Sequence, residues 1–325
     1  MRDRGEIAAL RTTRLPSLPT ELPTTWARAL RREALYAVLR PGLLAGEILP
    51  RSLSTLLYES FALSVYAMSP RLRRRTRANL ERVFPRGGGD RATRRMARAC
   101  FRSLGRNAVD LPRLRRISRR ELLDLVEVRG QEHLDAALAR GRGVIGIAPH
   151  VGNWEVLAAA LAARGVPLTA VAAEVYDARL GRFVREARAR WGVGTIVKGR
   201  PGSMREALGV LHRGEMLGAL VDLHTRDEGV TVPFLGRESH AAAGPIRLAL
   251  RTGAALVPMA IARVRSGRYR AEVLEPLEIP DTGDAARDVY EGVRRAAVTM
   301  ETFIYRWPEQ WLWMHDRWPA PGAER

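Results

Sequence analysis

The sequence predicts an α/β protein: a mixed, mostly parallel central sheet flanked by helices, preceded by a helical N-terminal region. Three observations carry this. After Val126, short apolar strand-like runs alternate with helical ones, the pattern of strand–helix–strand units. Before it, residues 26–125 read as helix, because apolar positions such as Leu56, Phe61, Leu63 and Tyr66 do not alternate as a strand requires. Finally, Gly143 to Ala148 is a short apolar run bounded by glycine and proline, consistent with a fully buried strand. With 325 residues, 46% of them hydrophobic, the chain has material for a sizeable core in one large domain or two average ones.

Taken in order, residues 1–25 ("RLPSLPTELPTT" among them) alternate proline with small and polar residues, which predicts a disordered tail. They lack the continuous apolar centre and cleavage site of a secretory signal, so export is not expected. From Trp26 to Pro70 the chain is apolar but interrupted. Its second stretch, "SLSTLLYESFALSVYAMSP", falls short of the roughly 20 apolar residues a bilayer span needs and carries Glu59. The basic block Arg71–Arg77 follows, where a juxtamembrane segment would carry one. Two readings stay open here, a marginal span or a buried helix with a charged end. Residues 77–125 predict further amphipathic helices broken by "PRGGGD" and Pro112, with Asp90 suited to a cap. The change of texture sets a boundary near 125. An α/β domain then runs over 126–318 ("GVIGIAP", "LTAVAAEV", "GTIVKG", "MLGALVD", "ALVPMAIARV" and "YRAEVLEPLEI" as strands), with a tail at 319–325.

The formal charge of +19 points to an anionic partner, although only Lys198 among the 54 basic residues is lysine and part of the arginine excess follows from that skew. The single cysteine, Cys100, excludes an internal disulfide and a cysteine metal cluster. No phosphate loop, strand-linked GxGxxG, HExxH or GxSxG occurs, and no helix-turn-helix, zinc finger or RNA-binding aromatic signature accompanies the charge, so no nucleic-acid partner is expected; a non-catalytic protein binding anionic membrane or nucleic acid is the alternative of another class that the charge alone would allow.

What remains is "IAPHVGNWE". Ligands of open α/β sheets sit beyond the carboxyl ends of strands, and His150 lies two residues past such an end. Gly152 permits a tight turn, and Asn153 suits the N-cap of a helix whose first turn holds Glu155. Across a strand–turn–helix corner, Glu155 is expected to bond one nitrogen of His150, leaving the other to take a proton from a hydroxyl. A structural histidine–carboxylate bond is the competing reading.

"HVGNWE" resembles the H-x4-[DE] signature of glycerolipid acyltransferases, in the form typical of bacterial lipid A secondary acyltransferases. "RANLERVFPRGGGDRATRRMARACFRSLGRNAVDL", "VPFLGRESHAAAGPIRLALRTGAALVPM" and "WPEQWLWMHDRW" resemble other segments of that family in the same order, so the similarity covers about residues 30 to 318. The resemblance implies a glycerolipid-acyltransferase-like fold with a membrane-associated N-terminal region at the cytoplasmic face of the inner membrane. It makes His150 the general base and Glu155 its partner. The acyl chain would move from acyl carrier protein to a hydroxyl of an anionic glycolipid, a lipid A precursor in the leading reading; lysophospholipid, amino-acid lipid or glycosylated phosphoinositide are the alternatives. No metal or cofactor is needed for this route. Arg188 and Arg190 become candidates for substrate phosphate, with Gly152, Asn153, Asp222 and Arg237 as further substrate-binding positions. Where many relatives read D-Q or D-H-D, this chain reads "DLH", which leaves His224 unassigned and admits a metal site of Asp222, His224 and Asp227. Asp110 stands where relatives often have glutamate. The tryptophans Trp307, Trp311, Trp313 and Trp318 suit either a membrane interface or core packing, and His315 is read as structural.

Overall fold

A computed structural model describes residues 33, 36–37, 40–85, 89–175, 177–225, 228–264 and 267–318. The tails expected at 1–25 and 319–325 lie outside these, as does Asp227. The described residues from Gly42 onward form one compact unit.

Within this unit a helical stretch over 42–48 leads into three helices, α1 (Arg51–Met68), α2 (Pro70–Val83) and α3 (Gly89–Arg113). Helix α4 (Arg119–Leu125) starts on a capping box, Ser118 with Glu121. The sheet and its crossovers follow as β1 (Val126–Arg129), α5 (Gln131–Ala139), β2 (Val144–Ala148), α6 (Trp154–Ala163), β3 (Leu168–Ala172), α7 (Ala178–Ala189), β4 (Gly194–Val197), α8 (Ser203–His212) and β5 (Met216–Leu220). Then come the hairpin β6 (Gly229–Phe234) and β7 (Arg237–Ala242), α9 (Gly244–Thr252), β8 (Ala255–Arg263), β9 (Tyr269–Val273) and α10 (Ala285–Arg306).

Seven strands form one sheet in the order β1-β9-β8-β2-β5-β3-β4, all pairs parallel except β8 with β9. The strand β2 is buried along its whole length. Ile145 and Ile147 face the core that contains α8, α9 and α10, whereas Val144 and Ala148 face the core that contains α5 and α6. Period-2 alternation thus serves two cores at once, which is why the run reads as continuously apolar. The expected α/β class with a mostly parallel sheet holds.

The N-terminal helices join this body through one face. Ser54, Ala62 and Tyr66 of α1 are buried, and the Tyr66 ring meets Phe101 of α3 edge-on at 5.1 Å. A Cβ at Gly105 would lie 2.7 Å from the Tyr58 carbonyl oxygen, so the α1–α3 approach depends on that glycine. Glu59 pairs with Arg106, and among the described residues no helix is long and apolar enough to cross a membrane. Asp90 sits in the first turn of α3, paired with Arg77 and Arg94, rather than at the cap.

Two elements escape the sequence reading. The β6–β7 hairpin closes on Leu235 (φ 51°) and Gly236 (φ 75°), a two-residue turn with both central residues left-handed; leucine there gives no turn signal. Helix α10, N-capped by Asp284 whose side chain accepts from Ala286 and Arg287, covers the sheet beside the hairpin.

Candidate functional site

Two adjacent parallel strands build the site. In the β2–β5 register Ala148 lies opposite Leu220. His150 and Asp222 each follow by two residues, so the chain delivers both side by side at the carboxyl edge of the sheet, where open α/β folds bind ligands. His150 Nδ1 and Asp222 Oδ1 are 2.7 Å apart, and the His150 backbone N–H donates to Asp222 Oδ2 at 2.8 Å. The Trp311 indole N–H donates to the same Oδ2 at 2.5 Å. A carboxylate only accepts, so Nδ1 carries the hydrogen and Nε2 presents its lone pair. The His150 side chain is 17% exposed and that of Asp222 0%. Burial pushes the Asp222 carboxyl upward, but the charge on His150 and the hydrogen bonds from His150 and Trp311 outweigh it, and the group lies below the ordinary carboxylate value.

The turn between β2 and α6 is held from several directions. Gly152 has φ 60°, and a Cβ there would sit 2.0 Å from the Ile261 carbonyl oxygen, so only glycine fits. Its N–H donates to the Gln310 carbonyl at 3.1 Å, and its own carbonyl accepts from the Asn107 amide. Val151 forms an antiparallel bridge with Trp311. Asn153 is the N-cap expected: its side-chain oxygen accepts from Val156 N–H at 3.4 Å, while its amide donates to Asn107 O and towards Asp110. Asp110 is buried and also receives Arg51, Arg263 and the Tyr269 hydroxyl. Burial and the neighbouring Asp110 charge push that hydroxyl well above its usual value.

The expected His150–Glu155 contact is corrected. Glu155 instead accepts both arms of Arg188, at 2.6 and 2.8 Å, in a pair whose side chains are only 13% and 11% exposed. The bidentate fork outcompetes a single imidazole bond for a half-buried carboxylate. It follows that Arg188, with a third contact to Thr195, is a strut between α6 and α7 rather than an open phosphate hook. Arg190 lies at the exposed C-terminus of α7 with its guanidinium 5.6 Å from the Trp191 ring centre, on a different face from Arg188 because two residues turn a helix by about 200°. Arg237 is exposed at the hairpin tip. Gly152 and Asn153 are engaged in building the turn, and Asp222, expected to bind substrate, is the acid on His150.

The closing segment surrounds this pair. Trp311 and Trp313 are buried, Trp307 and Trp318 partly so, which favours the core reading. His315 is held below its usual value by burial, by His150 and by Arg317. Arg317 is buried and lowered to about 10 by desolvation, with Asp222 acting in the opposite sense; it donates to His240 O at 3.0 Å and to Ser239 Oγ. The rings of His224 and His240 lie 6.1 Å apart. Among the described residues no group of three His, Cys, Asp or Glu side chains is arranged to hold a metal.

Beside the pair, a narrow apolar crevice runs between α6 and the sheet. Small residues Gly146, Ala148, Ala170 and Gly218 floor it, and Trp154, Glu155 and Arg188 border it. Trp154 also meets the His150 ring edge-on, centres 4.9 Å apart, so crevice and imidazole share a wall.

Trp311 as a partner of Asp222, and Asp222 as the acid on His150, were missed by the sequence reading. A signal existed: "VIGIAPH" and "MLGALVD" each place a titratable residue two positions past an apolar strand.

Comparison with known proteins places the chain among acyltransferases. Residues 26–320 match the family model described as bacterial lipid A biosynthesis acyltransferase. The phosphatidylinositol mannoside acyltransferase of Mycobacterium tuberculosis H37Rv is 34% identical over 167 residues, 49% of this chain and 52% of that protein, so the match spans about half of that relative's length. The phosphatidylinositol mannoside acyltransferase of Mycolicibacterium smegmatis is 30% identical over 232 residues, 70% of this chain and 72% of that protein. The lipid A biosynthesis acyltransferase of Haemophilus influenzae is 24% identical over 201 residues, 61% of this chain and 60% of that protein. With the family model extending from the N-terminal helices through the closing tryptophan segment that bonds Asp222, the chain belongs to the bacterial lipid A biosynthesis acyltransferase family.

Proposed function

We propose that the protein is an O-acyltransferase in which His150, oriented by Asp222, is the general base. The observation that carries this is the 2.7 Å Nδ1–carboxylate contact at the edge of the sheet, which leaves Nε2 as the proton acceptor. Nε2 takes the proton of an acceptor hydroxyl as its oxygen attacks the carbonyl carbon of an acyl thioester. The new C–O bond forms through a tetrahedral intermediate, the C–S bond breaks, and the imidazolium returns its proton to the departing thiolate. The buried Asp222 charge stabilises the imidazolium between these steps. The apolar crevice beside Trp154, floored by the small residues Gly146, Ala148, Ala170 and Gly218, suits the acyl chain.

For the acceptor we favour a hydroxyl of a mannosylated phosphatidylinositol over a lipid A precursor. Relatives at 30% and 34% identity carry that activity in their names, whereas the lipid A relative is 24% identical. The donor is an acyl thioester, on acyl carrier protein in our reading.

The protein would work at an anionic membrane surface, the cytoplasmic face of the inner membrane, through α1. Opposite its buried face, Leu53, Leu56, Leu57, Phe61 and Met68 are exposed, by 46 to 82%, with Leu44 and Ile48 exposed nearby. The arginines of 71–77 follow directly. An apolar stripe beside a basic block is the composition of a helix lying in the headgroup plane.

Purified protein is to be given acyl carrier protein or coenzyme A thioesters with mannosylated phosphatidylinositol, a lipid A precursor or a lysophospholipid, and products weighed by mass spectrometry. Acyl transfer to the glycolipid, lost on His150→Ala, is expected. A folded His150→Ala protein with undiminished turnover refutes the mechanism; transfer to lipid A precursor alone refutes the acceptor.

A further inference from the structure

We propose that Trp311 is a positioning residue for the base: its indole N–H is the third donor that pins Asp222, and through Asp222 it sets the orientation and proton affinity of His150. The inference rests on the reading of His150 as general base.

The contrast between two neighbouring tryptophans motivates it. Both are buried, and both have an indole N–H that can only donate. Trp313 places its N–H on the Pro308 carbonyl, at 2.6 Å, inside its own segment, which is what core packing asks of a buried indole. Trp311 instead reaches across 89 residues of sequence to Asp222 Oδ2. Its position is fixed independently of that bond. The backbone bridges to Val151, the Trp313 ring meets it at 4.6 Å and the Phe234 ring at 6.1 Å. Gln310, next to it, accepts from Gly152 N–H through its carbonyl and clamps the Arg263 backbone through its side chain. The segment that holds the His150 turn therefore also holds the acid.

The chemistry follows from charge. Asp222 has His150 Nδ1 on Oδ1 and two donors, the His150 N–H and the Trp311 indole, on Oδ2. Removing the indole donor concentrates negative charge on the carboxylate, which favours the imidazolium and frees the carboxylate to rotate. The other charged or titratable groups around the pair are His315, Arg317 and Asp316 of the closing segment, His224 after β5, His240 of the hairpin, and Glu155 on α6. Asp316 and Glu155 are carboxylates paired with Arg75 and Arg188 and have no hydrogen to give, so neither replaces the lost donor.

The test is Trp311→Phe in the full chain, measured for thermal stability, kcat, KM and the pH dependence of kcat with the acceptor that wild type acylates. A lost hydrogen bond to a charged group predicts a kcat lower by about tenfold to a hundredfold, with KM nearly unchanged. The acidic limb of the profile is expected to move to higher pH by about one unit. In an Asp222→Asn background the same change adds less than about twofold, because the carboxylate through which the indole acts on His150 is gone. Wild-type kcat, an unmoved limb, or equal losses in both backgrounds overturn the proposal and leave Trp311 as packing. If Trp311→Phe does not fold, benzothienylalanine at 311 keeps the ring shape without the N–H and is read in the same way. A fully active His150→Ala protein would sink the general-base reading itself, a separate result.

Discussion

Replacing Asp222 with asparagine changes one atom's chemistry and almost no volume. If the asparagine oxygen faces His150 Nδ1, its amide hydrogens meet the His150 and Trp311 N–H groups, whose present distances to that position are 2.8 and 2.5 Å. If the amide is flipped, it donates to Nδ1 and forces the hydrogen onto Nε2, removing the base. Both arrangements disable the imidazole. In the serine-hydrolase triad the corresponding exchange costs about 10⁴ in kcat, so a loss of about 10³ to 10⁴ is expected here, about 4 to 5.5 kcal/mol of barrier, with KM little changed. Glu155→Gln is the discriminating control. It leaves Arg188 unpaired in a site where its side chain is 11% exposed, which costs about 3 kcal/mol of stability and lowers Tm. Turnover per folded molecule should fall far less than in Asp222→Asn. The assay is steady-state acyl transfer on both variants, normalised to folded protein by circular dichroism. An Asp222→Asn enzyme within tenfold of wild type, beside a folded but inactive Glu155→Gln enzyme, would refute the assignment and restore the pairing read from sequence.

Two further predictions concern pH and the membrane. Burial and the neighbouring His150 and Arg317 hold His315 below the usual imidazole value of 6.5, so the unfolded chain binds a proton that the folded one resists; stability therefore falls as pH drops below 6.5 towards the lowered value, and His315→Gln should remove its share of that decline in Tm. Leu56→Asp with Phe61→Asp should abolish co-sedimentation with phosphatidylglycerol vesicles while leaving Tm within a few degrees, since both side chains are exposed; binding equal to wild type would reject α1 as the membrane face.

Much of the fold is legible along the chain because its signals are local. The glycine- and proline-bounded run at 143–148, the Asn153 cap and the Ser118 capping box each depend on a few neighbouring residues. The β6–β7 hairpin is not legible, since Leu235 adopts a left-handed conformation that its side chain does not advertise and that the Glu301 carboxylate, accepting its N–H at 2.7 Å, helps hold.

By itself the sequence determined that a histidine stands at the mouth of a buried strand, with a glycine turn and a capped helix behind it. Which acid meets that histidine was decided only by tertiary structure. Glu155 is five residues from His150 and Asp222 is 72 away, yet the parallel register of β2 against β5 puts Asp222 within hydrogen-bonding distance, while α7 supplies Arg188 to take Glu155. Strand order and side-chain competition are properties of the packed sheet, and no spacing along the chain encodes them.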